Sequence, residues 1–183
     1  LGKGAALWHG MQAALKAGAT AVLTLDGDGQ HEPDDIAALI AMHQRDPTAI
    51  VTGARLHQRQ HIPRLRYCAN RAANFWISWA AGYRIQDSQS GFRLYPSTLL
   101  QAVGPGCDAA SGFAFESELL IEAGRLGASI RAVPVSTNYG RHLRQSHFRQ
   151  VRDVLRITRM VARKLLARRL DVTGLIMSRR QPA

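Results

Sequence analysis

Two aspartates, two positions apart, close a short apolar run in this 183-residue chain: Thr20-Ala21-Val22-Leu23-Thr24-Leu25 leads straight into Asp26-Gly27-Asp28-Gly29-Gln30-His31. Carboxylates so spaced repel unless a cation sits between them. Mg²⁺ or Mn²⁺ takes hard oxygen ligands of this kind, one or two carboxylates completed by water and substrate phosphates, and Gln30 can add a carbonyl oxygen. The glycines let backbone approach a ligand closely. A calcium-binding EF-hand loop wants Asp or Asn at position 30 and Gly at 31, where this chain has Gln30 and His31, so that reading is set aside. A solvated acidic turn is the plainer alternative. Lys3 lies between Gly2 and Gly4 at the start of a helical stretch, where backbone N–H groups favour anions. No Ser or Thr follows it, so this is not a P-loop; an ordinary exposed lysine has the same pattern. Arg55 follows the next apolar run, and a guanidinium pairs with phosphate through two parallel hydrogen bonds. Surface ion pairing is the alternative there and at Arg66.

The flanking segments decide where such residues would stand. Residues 4–18 carry Ala6, Leu7, Met11, Ala14 and Leu15 at three-to-four spacing, with Gly18 as a stop, which predicts a helix. Residues 20–25 read as a buried parallel strand that ends in a functional loop. Pro33 opens a helix to about Arg45 with Asp34 and Asp35 in its first turn. Residues 49–52 form a second strand, and the alternation indicates an α/β sheet. A helix over 64–83 is rich in aromatics (Tyr67, Phe75, Trp76, Trp79, Tyr83), yet its apolar core, 72–81, falls short of the ~20 apolar residues that span a bilayer. Further elements are expected as a strand over 91–95, a helix over 116–126 stopped by Gly127, a strand over 130–135 whose Pro134 marks an edge or an end, and a long basic helix over 148–170. No internal repeat or low-complexity stretch is present.

The motifs fall in a recognisable order. Asp26-Gly27-Asp28-Gly29-Gln30-His31-Glu32-Pro33 is joined by Gly2-Lys3-Gly4, Val51-Thr52-Gly53-Ala54-Arg55, Asp87-Ser88-Gln89-Ser90-Gly91-Phe92-Arg93, Phe113-Ala114-Phe115-Glu116 and Val133-Pro134-Val135. Over residues 1–156 this resembles the family 2 glycosyltransferases of GT-A fold, in particular the polyprenyl-phosphate sugar transferase (dolichyl-phosphate mannosyltransferase-like) branch. The resemblance implies a GT-A-like, mostly parallel α/β sheet and inverting sugar transfer from a nucleotide sugar to a polyprenyl phosphate or related lipid acceptor. It implies Mg²⁺ or Mn²⁺ on Asp26, Asp28 and Gln30, donor contacts from Lys3, Asp26 and Gln30, and an acceptor phosphate held by Arg55 and Arg66. Asp87 and Arg93 are the implied catalytic pair. Asp87 would be a general base toward a hydroxyl acceptor; an ionised phosphate needs none, and Asp87 would then orient the sugar or a loop. A turn-stabilising Asp–Arg pair is the alternative. Glu116 either faces the site or caps its own helix, its place in the first turn favouring the cap. Ser146-His147 resembles the family's Ser-His after a loop, 139–145, that closes over the donor diphosphate. The family opens with a βαβ unit that binds the nucleotide base, without counterpart here, so a missing N-terminal segment of ~30 residues or more is expected.

Charge is uneven. Of a net +11, residues 1–140 contribute +1 (12 Lys/Arg, 11 Asp/Glu) and residues 141–183 contribute +10 (12 Lys/Arg, 2 Asp). One basic appendage is indicated, and two units are expected: a catalytic domain over 1–147 and a basic helix with tail over 148–183. Arg149, Arg152, Arg156, Arg159 and Arg163 line one helix face opposite Val151, Val154, Leu155, Val161, Leu165 and Leu166. Residues 148–170 are therefore expected at a membrane surface; no aromatics interleave with the arginines, which argues against nucleic acid. Cys68 and Cys107 form no metal or disulfide pattern and read as two buried thiols in a reducing compartment, the cytoplasmic face of the membrane. A transferase acting on a glycan or lipid hydroxyl, and an inactive membrane-binding module, remain as alternatives.

Overall fold

The computed structural model describes residues 2–27, 29–55, 64–103, 106–136 and 150–179, with backbone alone for 64–66 and 150–152. In chain order the elements are α1 (Lys3–Lys16), β1 (Ala21–Thr24), a 3₁₀ turn (Pro33–Asp35) running into α2 (Ile36–Arg45), β2 (Ile50–Ala54), α3 (Arg64–Ala81), β3 (Arg93–Pro96), α4 (Ser97–Val103), a 3₁₀ turn (Ala109–Ser111), α5 (Ala114–Arg125), β4 (Ile130–Pro134), α6 (Gln150–Ala167) and α7 (Val172–Arg179). The class is α/β, as expected.

The sheet runs β1-β3-β2-β4. Strands β2 and β4 pair in parallel, whereas β3 runs antiparallel to both of its neighbours. Three of the four strands thus point one way and β3 runs against them, which makes the sheet mixed. The first strand differs from its expectation: it lies at one edge of the described sheet, half-buried, and its ladder is antiparallel. β3 has come between β1 and β2, so β1 has a single described neighbour. At the opposite edge β4 ends on Pro134, where a missing N–H leaves no gap in a ladder.

Strand residues alternate between two packed layers. Val51, Leu94 and Val133 join Leu39 of α2 on one face, whereas Ile50, Tyr95 and Ile130 join the larger core built from α1, α3, α4, α5 and α6 on the other. Glycines set the closest approaches. A Cβ on Gly124 would sit 2.8 Å from the Ala81 carbonyl oxygen, so α5 touches α3 backbone there. Helix α6 sends Met160, Val161 and Leu165 into the core, and Lys164 bonds both Glu118 (2.8 Å) and Glu122 (2.7 Å) of α5. Of the apolar stripe read from sequence, Val161 and Leu165 are therefore covered, while Val154, Leu155 and Leu166 remain exposed. Residues 148 and 149 lie outside the described residues.

Candidate active site

Each arm of the site is held by a local device. Thr24, the last residue of β1, donates its hydroxyl to the Gly91 carbonyl (2.9 Å), which fixes the strand end against the 87–93 segment. Asp26 follows immediately, and its carboxylate rests over Gly91, where a Cβ would collide with all three carboxyl atoms. Gly4 does the same for α1: a Cβ there would meet the carbonyl oxygens of Ala109 (2.6 Å) and Gly112 (2.7 Å). Its absence lets the first turn of α1 press against the chain leading into α5. Lys3 is thereby delivered between two carboxylates, 2.8 Å from Asp26 Oδ1 and 2.7 Å from Glu116 Oε2, with the Phe113 ring 4.9 Å from the ammonium. Burial pulls the Lys3 pKa down, but Glu116 and Asp26 outweigh it and hold the ammonium above its usual value. Lys3, Asp26, Gly91 and Glu116 line an open cavity of about 250 Å³ at the end of β1.

Glu116 does not cap its helix. Phe113 occupies the cap position without a side-chain bond, and Glu116 turns instead to Lys3 and, at 3.8 Å, to Arg93 Nη1. Arg93 is fully buried; it donates to the Ser88 carbonyl (2.8 Å) and to the Tyr95 hydroxyl (3.4 Å).

Asp87 pairs with Arg55. Arg55 Nε lies 2.9 Å from Asp87 Oδ2 and Nη2 3.0 Å from Oδ1, a two-pronged bond, and Asp87 Oδ1 also accepts the Gln89 N–H. Burial pushes the Asp87 carboxyl up, but Arg55, the Gln89 N–H and Arg93 outweigh it and hold its pKa below the usual value. Asn74 of α3 secures the same segment, accepting from the Ser88 N–H and hydroxyl and donating to the Gln86 carbonyl. Arg55 and Asp87 line a second cavity of about 520 Å³ with Tyr67, Arg71, Arg84 and Arg179. The 87–93 segment runs between the two cavities, with Asp87 in one and Gly91 in the other.

Lys3, Asp26, Arg55, Asp87 and Arg93 fall inside a known family. The model for glycosyl transferase family 2 matches residues 1–103. The chain belongs to glycosyl transferase family 2. Relatives include the UDP-N-acetylglucosamine–dolichyl-phosphate N-acetylglucosaminyltransferase of Methanococcus voltae, 33% identical over 141 residues, 75% of this chain and 56% of that protein. The undecaprenyl-phosphate mannosyltransferase of Micrococcus luteus is 26% identical over 144 residues, 74% of this chain and 56% of the relative. The polyprenol monophosphomannose synthase of Mycolicibacterium smegmatis is 26% identical over 140 residues, 74% and 52% of the two chains. This chain therefore spans a little over half the length of the relatives it matches. The mixed α/β sheet is consistent with a GT-A-like glycosyltransferase fold.

Of the residues marked by sequence, Lys3 and Asp26 meet directly, and Arg55 meets Asp87. Arg93 stands behind Glu116 in the core. Gln30 is half-buried, and the His31 ring packs on Phe92 at 5.1 Å. Asp28, Ser146, His147 and the loop 139–145 lie outside the described residues, as does the Arg66 side chain. Among the described residues no three His, Cys, Asp or Glu converge as a metal cluster. The part of the donor set that is described fits a hard cation all the same: a half-buried carboxylate that already accommodates an ammonium, on the wall of an open cavity. The cysteines depart from expectation. Cys68 is exposed, because it sits on the outer face of α3, and Cys107 is half-buried, with burial pushing its thiol up to about 12.

Proposed function

We propose that the protein transfers a sugar, with inversion, from a nucleotide sugar to a polyprenyl phosphate. The observation that carries this reading is the pair of cavities on either side of the 87–93 segment, one with Lys3 and Asp26 on its wall and the other with arginines. The names of the relatives supply the acceptor class: two act on dolichyl phosphate or undecaprenyl phosphate, and the third makes a polyprenol monophosphomannose. Asp26 and Asp28, with Gln30 beside them, would hold Mg²⁺ or Mn²⁺, which offsets the negative charge that builds on a departing diphosphate. Lys3, at the N-terminus of α1, adds an ammonium and helix N–H groups to the same diphosphate. Arg55, its guanidinium plane fixed by Asp87, and Arg66 orient the acceptor phosphate for in-line attack on the anomeric carbon.

A hydroxyl acceptor would need a base, and Asp87 is poorly disposed to be one. Its oxygens are engaged by Arg55 and Gln89 and its pKa is held down, whereas an effective base is poised near the working pH. Asp87 therefore reads as the residue that orients Arg55. Asp87→Asn in the full-length protein should keep transfer to polyprenyl phosphate within about tenfold of wild type, with the change mainly in acceptor KM. Loss of a true base costs ~10²–10⁴-fold in kcat, and a drop of that size would support the hydroxyl reading instead.

No described helix is long and apolar enough to cross a membrane. We propose peripheral contact with the lipid surface. The basic face of α6 contributes with its exposed Val154, Leu155 and Leu166, and α3 and α7 add further apolar surface. Helix α7 docks on α3 through the small residues Gly174 and Ser178, which leaves Val172, Ile176 and Met177 exposed, as are Phe75 and Trp76 of α3. Arg71, Arg84 and Arg179 border this face at the second cavity, placing cations beside exposed apolar surface as anionic lipid headgroups require.

A further inference from the structure

Asp26 already has a cation on it. A single ammonium, that of Lys3, bridges Asp26 Oδ1 and Glu116 Oε2 at 2.8 and 2.7 Å. Behind it, Glu116 is backed by the fully buried Arg93 at 3.8 Å. Sign therefore alternates from the rim inward: Asp26, Lys3, Glu116, Arg93. The Lys3 side chain is 30% exposed and Glu116 only 10%, so the ammonium sits at the border of solvent while its inner partner is fixed. Although Glu116 lies in the first turn of α5, its carboxylate engages Lys3 and Arg93.

An ammonium and a divalent ion on one carboxylate repel each other, and whichever is bound weakens the other. We propose that Lys3 is a built-in counter-ion that competes with the divalent metal for Asp26, and that Glu116 is a positioning residue that decides the competition by offering the ammonium a second carboxylate. With the metal absent, Lys3 neutralises Asp26 and keeps the rim of the cavity from carrying an uncompensated charge. With the metal bound, the ammonium withdraws onto Glu116 and the Phe113 face, still at the N-terminus of α1 and turned toward the diphosphate. Arg93 keeps Glu116 in place for either state. The inference rests on the reading of Asp26 as a metal ligand.

The alternative is that the three charges merely fasten α1 to α5. The two accounts differ in sign. If Lys3 competes, Lys3→Met binds Mn²⁺ more tightly than wild type, by about tenfold or more, while Lys3→Arg stays close to wild type. Glu116→Gln then binds Mn²⁺ more weakly, because the ammonium loses its alternative partner and remains on Asp26. The weakening must also vanish in the Lys3→Met background, since Glu116 acts through Lys3; a through-space loss of negative charge would persist there. The experiment titrates Mn²⁺ alone, without nucleotide, into the full chain and reads free ion by electron paramagnetic resonance. Asp26→Asn is the control. Tighter binding by Lys3→Met, weaker binding by Glu116→Gln and a null effect of Glu116→Gln on Lys3→Met are expected. Should Asp26→Asn abolish uptake while Lys3→Met binds no more tightly, or shows no uptake at millimolar Mn²⁺, the competition is overturned and the metal site survives. Should Asp26→Asn bind as wild type does, the metal reading itself is lost.

Discussion

Two ion pairs with different jobs divide the site. The Lys3 group is semi-exposed and can trade partners, whereas Arg55 and Asp87 are each 12% exposed at the side chain and locked by parallel hydrogen bonds. A buried pair contributes little net stability when intact but costs ~3–5 kcal/mol when one partner is removed, because a charge is left unpaired. Asp87 also carries a pH signature. Its folded pKa lies below the ordinary carboxylate value, so its contribution is present above that value and is lost as the pH falls through the depressed one. Urea unfolding should show wild type losing stability steadily below about pH 4, near the unperturbed carboxylate pKa. Asp87→Asn, less stable at pH 7, should lose less over the same range. Parallel pH profiles for the two proteins would contradict the assigned pairing.

At the scale of elements, glycines without side chains set the geometry. Gly4 brings α1 against the 109–115 chain, Gly91 leaves room for the Asp26 carboxylate, and Gly124 seats α5 on α3. Gly4→Ala should destabilise the protein by about 1–3 kcal/mol, the usual cost of overpacking, and should loosen Lys3 from Asp26 and Glu116 together. Thermal unfolding would measure the first effect and reduced donor affinity the second; a variant with wild-type stability would show that α1 is free to shift. The acidic loop after β1, the Gly-Lys-Gly turn and the Ser-Gly-Phe-Arg segment were all legible in the sequence because spacing along one stretch defines them. Partners across the chain were not. Glu116 and Lys3 are 113 positions apart, and a glutamate in a first helical turn carries the same signal whether it caps or reaches elsewhere. The insertion of β3 between β1 and β2 is likewise a non-local fact that no apolar run encodes. Helices α4 and α7 are not legible in the sequence because seven or eight residues make only about two turns, too few to establish a helical stripe, and Gly174 weakens the pattern further.

Across the whole molecule, the large core on one side of the sheet ties α1, α3, α5 and α6 into one body, so both cavities are held by the same packing. The 87–93 segment couples them physically: Asp87 orients Arg55 in the second cavity, Arg93 holds the Ser88 carbonyl, and Gly91 supports Asp26 in the first. Metal at one cavity and an acceptor phosphate at the other is the arrangement the account requires. It is tested most directly by following radiolabelled sugar from nucleotide sugars into organic-extractable product with the full-length protein, offering polyprenyl phosphate and the unphosphorylated polyprenol side by side, with Mn²⁺ or with chelator. Transfer to the phosphate alone, lost with chelator and in Asp26→Asn, is expected. Equal transfer to the free polyprenol, or undiminished transfer either in chelator or by Asp26→Asn, would contradict the account.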